Sequence, residues 1–441
     1  MAGPMRTRFA IEERGSSVRT EIVGGITTFV SMAYIIVVNP AILEFAGIPP
    51  GPSTIATILT AAFGTLLMGL YANRPIAVAP YMGENAFIAF GLAAFGIGWQ
   101  QRLGAVFISG LVFLLITFLG VRTWLADSIS PSLKQSFAAG IGLFLTFIGL
   151  VETGIVTSAK AVPVQIGNLR EPTALLAVAG FVITSALLYR RVKGAILIGM
   201  VVTATAGILL GYGKAPQGIV ALPFRGAYDL APIAFQLDVV SILRLSFLPI
   251  LLTLFLMSLL DTLGTLVGVG AAAGMLDEHG NFPDIKKPMV VDALSCVFSG
   301  LAGTSTSGAY IESATGIREG ARTGLASVVT AALFVVSLFL IPLFEPMQAL
   351  RYAYAPPLMI VGMLMLSSVT RIDFDDLTEL VPAFTTIVVM AFTYNIANGL
   401  TAGLVLHPLM KLITGRYREV RAGSIALALL CLVYYFFGIV H

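Results

Sequence analysis

The chain has 441 residues, of which 57% are hydrophobic and only 11% are charged, and its formal net charge is +3. A mean hydropathy of +0.93 excludes a water-soluble globular protein of this length. So small a net charge gives no reason to expect a nucleic-acid partner. The composition predicts a protein that lies within a lipid bilayer.

Runs with few or no charged residues follow one another along the chain. Most are close to the length of about 17 to 25 residues that a spanning helix needs, and they lack the period-two alternation of a membrane barrel. We therefore predict an all-α polytopic membrane protein. The runs cover residues 22–38, 53–73, 75–98, 103–121, 135–151, 173–189, 194–213, 245–269, 288–301, 303–317, 323–344, 352–370, 380–394, 398–410 and 422–440.

The distribution of Lys and Arg predicts the orientation. With a cytoplasmic N-terminus and a crossing at each run, 19 of the 26 basic residues fall inside the cell and seven outside. This count gives fourteen crossings by residue 410 and leaves 422–440 as an extra span or an interfacial helix. We find no signal-peptide cleavage pattern and expect a multi-pass protein of the cell membrane.

Two runs, 75–92 and 303–316, are interrupted by proline, glycine and polar residues. Tyr310 follows Tyr81 by 229 residues, and the run that begins at residue 245 follows the first run by 223. These similar offsets suggest two homologous halves of seven segments, the second inverted relative to the first. Inverted repeats with paired broken segments are typical of secondary transporters. Coincidence remains the alternative, because Gly and Pro are common in membrane helices.

Four acidic residues interrupt apolar segments that contain no nearby Lys or Arg: Glu84, Asp261, Asp292 and Glu312. A carboxylate at membrane depth costs about 2.5 to 3.5 kcal/mol and usually marks a solute or proton path. We favour such a role for Glu84, Asp261 and Glu312. For Asp292 we favour a structural role, as an acid that complements a helix dipole near the start of its segment. Glu21 is expected at the membrane interface.

Each functional assignment has a structural alternative. Asp261 precedes Gly264 and Gly268 and could instead form a hydrogen bond between helices. Glu312 follows Thr-Ser-Thr-Ser-Gly, so the chain is predicted to be extended there and helical only from about Tyr310. Backbone N–H groups at this half-helix start would face the cavity, and the alternative role for Glu312 is that of a capping carboxylate.

The two broken runs also offer an amide and several rings. Asn85 can both donate and accept, which suits the edge of a planar heterocycle. Glu84 points to a different face, so one of the two is expected to face the site and the other to support it. Tyr81, Phe87 and Tyr310 could stack on a flat ligand, with ordinary packing as the alternative.

Four blocks of the chain carry a family resemblance: Gly24–Pro40, Met82–Phe87, Asp261–Gly268 and Gly303–Gly316. They resemble the nucleobase/cation symporter family 2, in the xanthine/uracil permease superfamily. Within it they are most similar to the purine branch, the guanine/hypoxanthine and adenine permeases. The resemblance extends from about residue 18 to residue 416.

This resemblance implies fourteen segments in two inverted sevens, a core domain, a gate domain, and short strands in broken segments 3 and 10. Along the chain, a cytoplasmic N-terminal segment is expected first, followed by alternating parts of the core domain and the gate domain. The boundaries are 1–20 (N-terminus), 21–130 (core, segments 1–4), 131–244 (gate, segments 5–7), 245–345 (core, segments 8–11) and 346–441 (gate, segments 12–14 with the C-terminal helix).

The resemblance also implies the site and its ligands. The expected activity is import of hypoxanthine, guanine or adenine by proton symport, with the proton gradient in place of any cofactor and with no metal. Two departures stand out, because relatives commonly have Asp at the position of Ser258 and an apolar residue at that of Glu84. The predicted substrate-binding residues are Glu312, Asp261, Asn85, Glu84, Tyr310, Ile311 and Thr306. The candidates for proton coupling are Glu312, Asp261 and Glu84.

Three other functions were weighed against a purine permease. An anion carrier of the same fold is disfavoured, because an anion would meet the two acids Asp261 and Glu312. A membrane enzyme lacks a nucleophile–base pair, a metal cluster and a phosphate-binding loop. The sequence does not distinguish a passive channel from a symporter. It also does not determine whether the protein forms a homodimer.

Overall fold

The computed structural model describes residues 8–92, 96–120, 124, 128–273, 275, 282 and 284–437. Within these residues, eight helices are long and apolar enough to cross a membrane. A ninth span results if Gly324–Ser337 and Ile341–Gln348, which are bent by 78° at a short break, are counted together. The prediction of an all-α polytopic membrane fold is confirmed.

The helices and strands of the first half are α1 (Val18–Met32), α2 (Ile35–Leu43), α3 (Pro50–Leu67), β1 (Val78–Pro80), α4 (Met82–Ala86), α5 (Trp99–Leu119), α6 (Pro131–Glu152), β2 (Val156–Thr157), β3 (Gln165–Ile166), α7 (Pro172–Tyr189), α8 (Ala195–Leu209) and α9 (Val239–Ile242). Those of the second half are α10 (Leu248–Ala273), α11 (Lys286–Ala302), β4 (Ser307–Ala309), α12 (Ser313–Arg318), α13 (Gly324–Ser337), α14 (Ile341–Gln348), α15 (Arg351–Leu366), α16 (Leu377–Phe392), α17 (Ile396–Ile413) and α18 (Ala422–Phe437).

Strands β1 and β4 pair with each other in the middle of the protein. They are antiparallel, with Val78 opposite Ala309 and Pro80 opposite Ser307, and all six residues are buried. These strands lie in the two interrupted runs of the sequence, as the resemblance implied. A two-stranded ribbon leaves both outer edges unpaired, so neighbouring groups must satisfy the remaining backbone groups.

Side-chain hydroxyl and thiol groups form hydrogen bonds with backbone groups in and beside this two-stranded ribbon. Thr65 Oγ1 accepts from the Val78 amide and donates to the Val78 carbonyl, both at 2.9 Å. Ser313 Oγ accepts from the Ala77 amide at 2.9 Å. On the β4 side, Cys296 Sγ donates to the Ser307 carbonyl at 2.9 Å. Irregular backbone persists at membrane depth here because protein groups replace the missing water.

A break between α1 and α2 places a tyrosine beside the strands. The break falls at Ala33 and Tyr34, and the Ile36 amide donates back to the Ala33 carbonyl at 3.1 Å in a tighter turn. Tyr34 is buried, and its ring projects toward α12. The aromatic side chain within an otherwise aliphatic run is therefore positioned by an interruption of the helix.

Glu21, which the sequence suggested would lie at the membrane interface, is fully buried within the protein. Its carboxylate accepts from the backbone N–H groups of Arg322 (2.8 Å), Thr323 (3.2 Å) and Ala326 (3.3 Å). These are the unsatisfied donors at the start of α13, where a negative charge also complements the helix dipole. Glu21 thus joins α1 to α13.

Candidate functional site

Three of the predicted acidic residues lie around one tyrosine. Tyr310 follows β4 directly, two residues before Glu312, and Glu84 bonds to Ser258, which lies one turn before Asp261 on α10. Each acid comes from a different element: Glu84 from α4, Asp261 from α10 and Glu312 from the residue before α12. The paired strands bring these elements together from opposite halves of the chain.

Glu312 faces a side chain instead of capping its helix. It occupies the position before α12 in a helical conformation (φ −58°, ψ −20°) and makes no side-chain capping bond. Its Oε1 instead accepts a 2.7 Å hydrogen bond from the Tyr34 hydroxyl. Glu312 is half-buried, so part of its carboxylate stays accessible. The capping alternative is therefore wrong.

Glu84 lies in the fully buried part of the site. Its Oε2 accepts from Ser258 Oγ at 2.9 Å and from Thr306 Oγ1. The predicted residue Thr306 therefore contacts Glu84. Oε1 has no hydrogen-bond partner among the described residues. Ser258 and Glu84, the two positions at which the sequence was expected to depart from relatives, are in direct contact.

Asn85 turns the other way, toward α2. Its Nδ2 donates to Asn39 Oδ1 at 2.8 Å, and Asn39 Nδ2 in turn donates to Thr57 (2.8 Å) and Thr304 (2.9 Å). The amide network links α2, α3 and the start of the broken segment. Oδ1 of Asn85 has no partner among the described residues, and Asn85 is 0% exposed, so a ligand does not reach this oxygen in the conformation described.

Asp292 supports β4, which corrects its predicted contribution to a helix dipole. It lies beyond the first turn of α11 and is fully buried. Its Oδ2 accepts from Thr262 Oγ1 at 2.9 Å and from the Ala309 amide at 3.0 Å. The carboxylate thereby ties α10 and β4 to α11. The predicted structural role of Asp292 agrees with these contacts. The physical reason is its hydrogen bonds to Thr262 and β4, and not a helix dipole.

Two tyrosine rings lie nearly parallel beside the strands. The ring centroids of Tyr81 and Tyr310 are 6.4 Å apart and their planes differ by 10°. Tyr81 shares a 2.9 Å hydrogen bond with Thr262, and the Tyr310 hydroxyl donates to the Pro80 carbonyl. All three predicted stacking rings are buried, with Tyr81 6%, Tyr310 5% and Phe87 0% exposed, so none presents an open face to a ligand in this conformation.

The face of α10 that carries Asp261 is partly uncovered. Asp261 is half-buried and makes no hydrogen bond or ion pair that the structure shows within the described ranges. Gly264 and Gly268 lie on the same face of α10, and both are exposed. A Cβ at Gly264 would meet no described atom within 4 Å, and one at Gly268 only the Ile311 side chain at 3.8 Å. Ile311 itself is 60% exposed and lies beside this face.

Several contacting residues were missed from the sequence. Tyr34, Asn39 and Thr262 all bond to the predicted acids or amides, and all three lie inside the blocks that carry the family resemblance. Their polarity within apolar runs was the available signal. Across the described residues, no three His, Cys, Asp or Glu side chains converge closely enough to hold a metal ion.

Fold and site define a membrane transport protein with broken segments at its centre. The transmembrane domain of the cyanobacterial bicarbonate transporter BicA has a similar fold, with a TM-score of 0.64 at 17% identity. The match covers 88% of this chain and 97% of that one. Structures of the anion transporter SLC26A9 are also similar, for example with a TM-score of 0.62 over 92% of this chain. These proteins share the inverted-repeat fold.

The sequence places the chain within a family. Residues 19–401 match the Xan_ur_permease model, described as "Permease family", and the chain belongs to it. It is 40% identical to the adenine permease AdeP of Escherichia coli over 429 residues, covering 97% of this chain and 95% of AdeP. It is 38% identical to the guanine/hypoxanthine permease PbuG of Bacillus subtilis, covering 98% of this chain and all of PbuG. The protein is a permease and not an enzyme, and the predicted family is confirmed.

Proposed function

We propose that this permease imports purine nucleobases, namely adenine, hypoxanthine or guanine, by proton symport. The observation that carries the proposal is the cluster of Glu84, Asp261 and Glu312 around Tyr310. None of the three forms an ion pair with a basic residue in the described part of the chain. Uncompensated buried carboxylates are costly, and in a transporter they commonly serve to bind protons or ligand N–H groups.

A purine matches the exposed polar groups of this site. Its ring and exocyclic N–H donors would bond to Asp261 and Glu312, which are the two acids that remain partly accessible. A carboxylate can accept two parallel N–H bonds. Ile311, which is 60% exposed, would cover a flat face of the base, and the fully buried Asn85 would support the site through its hydrogen bond to Asn39. The names of the relatives AdeP and PbuG support purines as the substrate class.

The arrangement also supports alternating access. The chain would form fourteen segments in two inverted sevens, with residues 21–130 and 245–345 as the core and 131–244 and 346–441 as the gate.

Uptake in a host that lacks its own purine permeases tests the proposal. We expect cells that express the chain to accumulate radiolabelled adenine, hypoxanthine or guanine, and a protonophore to abolish the accumulation. Xanthine and uracil as competitors would define the range of bases. Glu312→Gln should abolish active uptake, because the neutral amide is a weaker acceptor for N–H groups. Glu13→Gln, at an exposed position, is the matched control.

Three outcomes would contradict the proposal. Cells that express the protein at the membrane but accumulate none of the three purines would exclude the substrate class. Uptake that survives the protonophore would indicate a passive channel. Uptake of bicarbonate or sulfate in place of purines would establish the anion carrier that resembles BicA in activity as well as in fold.

A further inference from the structure

We propose that Glu84, and neither Glu312 nor Asp261, carries the transported proton, and that its protonation allows Asp261 to bind the base as a charged acceptor. The inference rests on the proposed function and assigns separate tasks to the three acids of one site. It predicts the sign of the coupling, namely that affinity for the base rises as the pH falls.

Glu84 has the contacts expected of a residue that holds a proton but does not contact the transported base. The residue is 0% exposed, whereas Asp261 and Glu312 are both partly accessible. Two hydroxyls, of Ser258 and Thr306, donate to one oxygen of Glu84. The other oxygen, Oε1, has no partner within the described residues, so a proton can reside there without displacing either hydroxyl bond.

The charged and titratable groups around Glu84 come from its own broken segment, from α10 and α11, and from the residue after β4. Most are acidic or phenolic, and none of the ion pairs in the described part of the chain reaches this cluster. The groups are Tyr81 beside it, Asp261 from α10, Asp292 and Cys296 from α11, and Tyr310 after β4.

Electrostatic repulsion between Glu84 and Asp261 then couples proton binding to binding of the base. Two neighbouring carboxylates in a buried site without a cation repel each other, so ionisation of one disfavours ionisation of the other. An ionised Asp261 is the stronger acceptor for an N–H of the base, and a protonated Glu84 removes the repulsion that opposes this ionisation. By reciprocity, binding of the base must then favour proton uptake at Glu84 to the same extent.

The other two acids are suited to the solute. Glu312 is held by the Tyr34 hydroxyl at 2.7 Å, which fixes the orientation of its half-buried carboxylate. Asp261 borders the uncovered face of α10. Both positions serve ligand recognition, and the fully buried Glu84 is left as the group whose charge can change without breaking a contact to the base.

The decisive variant is Glu84→Gln, which is permanently neutral and nearly isosteric. The experiment measures binding of the purine that the wild type accumulates, radiolabelled, to purified protein between about pH 6 and pH 8. We expect wild-type affinity to fall about tenfold or more over this range, and the variant to keep the high affinity throughout. In proteoliposomes the variant should exchange and equilibrate the base but not accumulate it against a gradient. Glu152→Gln, a buried carboxyl far from the site, should behave like the wild type.

A transplanted carboxyl provides a second test that does not depend on the fold of the first variant. Ser258 Oγ lies 2.9 Å from Glu84 Oε2, so an Asp at 258 brings a carboxyl into the same space from α10. We expect Glu84→Ala to lose pH-dependent accumulation and the double variant Glu84→Ala, Ser258→Asp to regain it.

Two results would overturn the assignment. Either Glu84→Gln retains the wild-type pH dependence and accumulation, or Glu84→Ala accumulates the base as well as the double variant does. A wild-type protein that accumulates no purine is a different result, because it contradicts the proposed function itself.

Discussion

Tyr34 and Glu312, 278 residues apart, are joined by a 2.7 Å hydrogen bond in which the phenol donates to the carboxylate. The tyrosine lies at the break between α1 and α2, and the glutamate directly precedes α12. The bond therefore connects an interrupted helix of one half of the chain to the interrupted segment of the other. It also fixes the direction in which the carboxylate points.

Removing this hydroxyl should weaken binding of the base. In Tyr34→Phe the carboxylate of Glu312 loses its one observed side-chain donor, and hydrogen bonds to charged groups are worth about 1.5 to 3 kcal/mol. We expect the KM for uptake to rise by about tenfold or more, with little change in the amount of protein in the membrane. Tyr189→Phe, at a 90% exposed position, serves as the control. An unchanged KM would show that Glu312 does not need this bond.

Asp292 should matter for the shape of the site. Its Oδ2 holds both Thr262 and the Ala309 amide, and in Asp292→Ala these buried donors lose their acceptor. We expect a loss of about 2 to 5 kcal/mol in stability together with loss of base binding. Asp292→Asn keeps an acceptor oxygen and should lose less of both. The check is thermal unfolding of purified protein beside a binding measurement, and equal losses in the two variants would contradict the assignment.

Glu21 should stabilise the protein without contributing to transport chemistry. Glu21→Ala removes the acceptor of three N–H groups at the start of α13, and a lost helix cap typically costs about 0.5 to 2 kcal/mol. We expect a lower Tm and less protein in the membrane, but an unchanged KM in the molecules that remain. Glu13→Ala, at an exposed position in the same part of the chain, should have neither effect.

A compact ion cluster joins α16 and α17. The buried Lys411 ammonium lies 3.0 Å from Glu379, 2.8 Å from Glu419 and 3.5 Å from Asp376. Hydrogen bonds from Thr378 and the nearby charges of Lys411 and Arg416 lower the pKa of Asp376 to about 2. The stabilisation from this ionised carboxylate is therefore complete above about pH 4 and is lost as the pH falls through about 2.

Lys411→Met should destabilise the protein at neutral pH. The substitution removes the buried cation that the half-buried Asp376 and Glu379 and the exposed Glu419 share, and a lost hydrogen bond to a charged group is worth about 1.5 to 3 kcal/mol. Because those acids become neutral when protonated, the difference in Tm from the wild type should shrink below about pH 3. Arg418→Met, at an exposed position nearby, is the control. A difference that does not depend on pH would indicate lost packing instead of lost charge.

The sequence predicted the membrane architecture more accurately than it predicted the side-chain contacts. Apolar runs and the two interrupted segments indicated a polytopic protein with a site at 75–92 and 303–316, because local composition determines both features. The burial of Glu21 was not predictable in the same way. Its partners lie about 300 residues away, and a single acid near a segment end fits a membrane interface equally well.

Within the site the sequence identified the acids but not their orientation. Glu84 and Asn85 are adjacent, and only the three-dimensional placement of α10 and α2 shows that one faces Ser258 and the other Asn39. The contribution of Asp292 was misread for a similar reason. Its bond to the Ala309 amide exists only once β4 has formed, and no local pattern encodes that strand pair.

The pairing of β1 with β4 also has a consequence for biogenesis. At about 5 to 20 residues per second, roughly 10 to 50 s of synthesis separate Val78 from its partner Ala309, and the first strand must wait in the membrane without it. Thr65, only 13 residues upstream, bonds both the N–H and the C=O of Val78 by itself. One hydroxyl in the preceding helix can thus satisfy these backbone groups of the nascent strand until the second half of the chain has been synthesised.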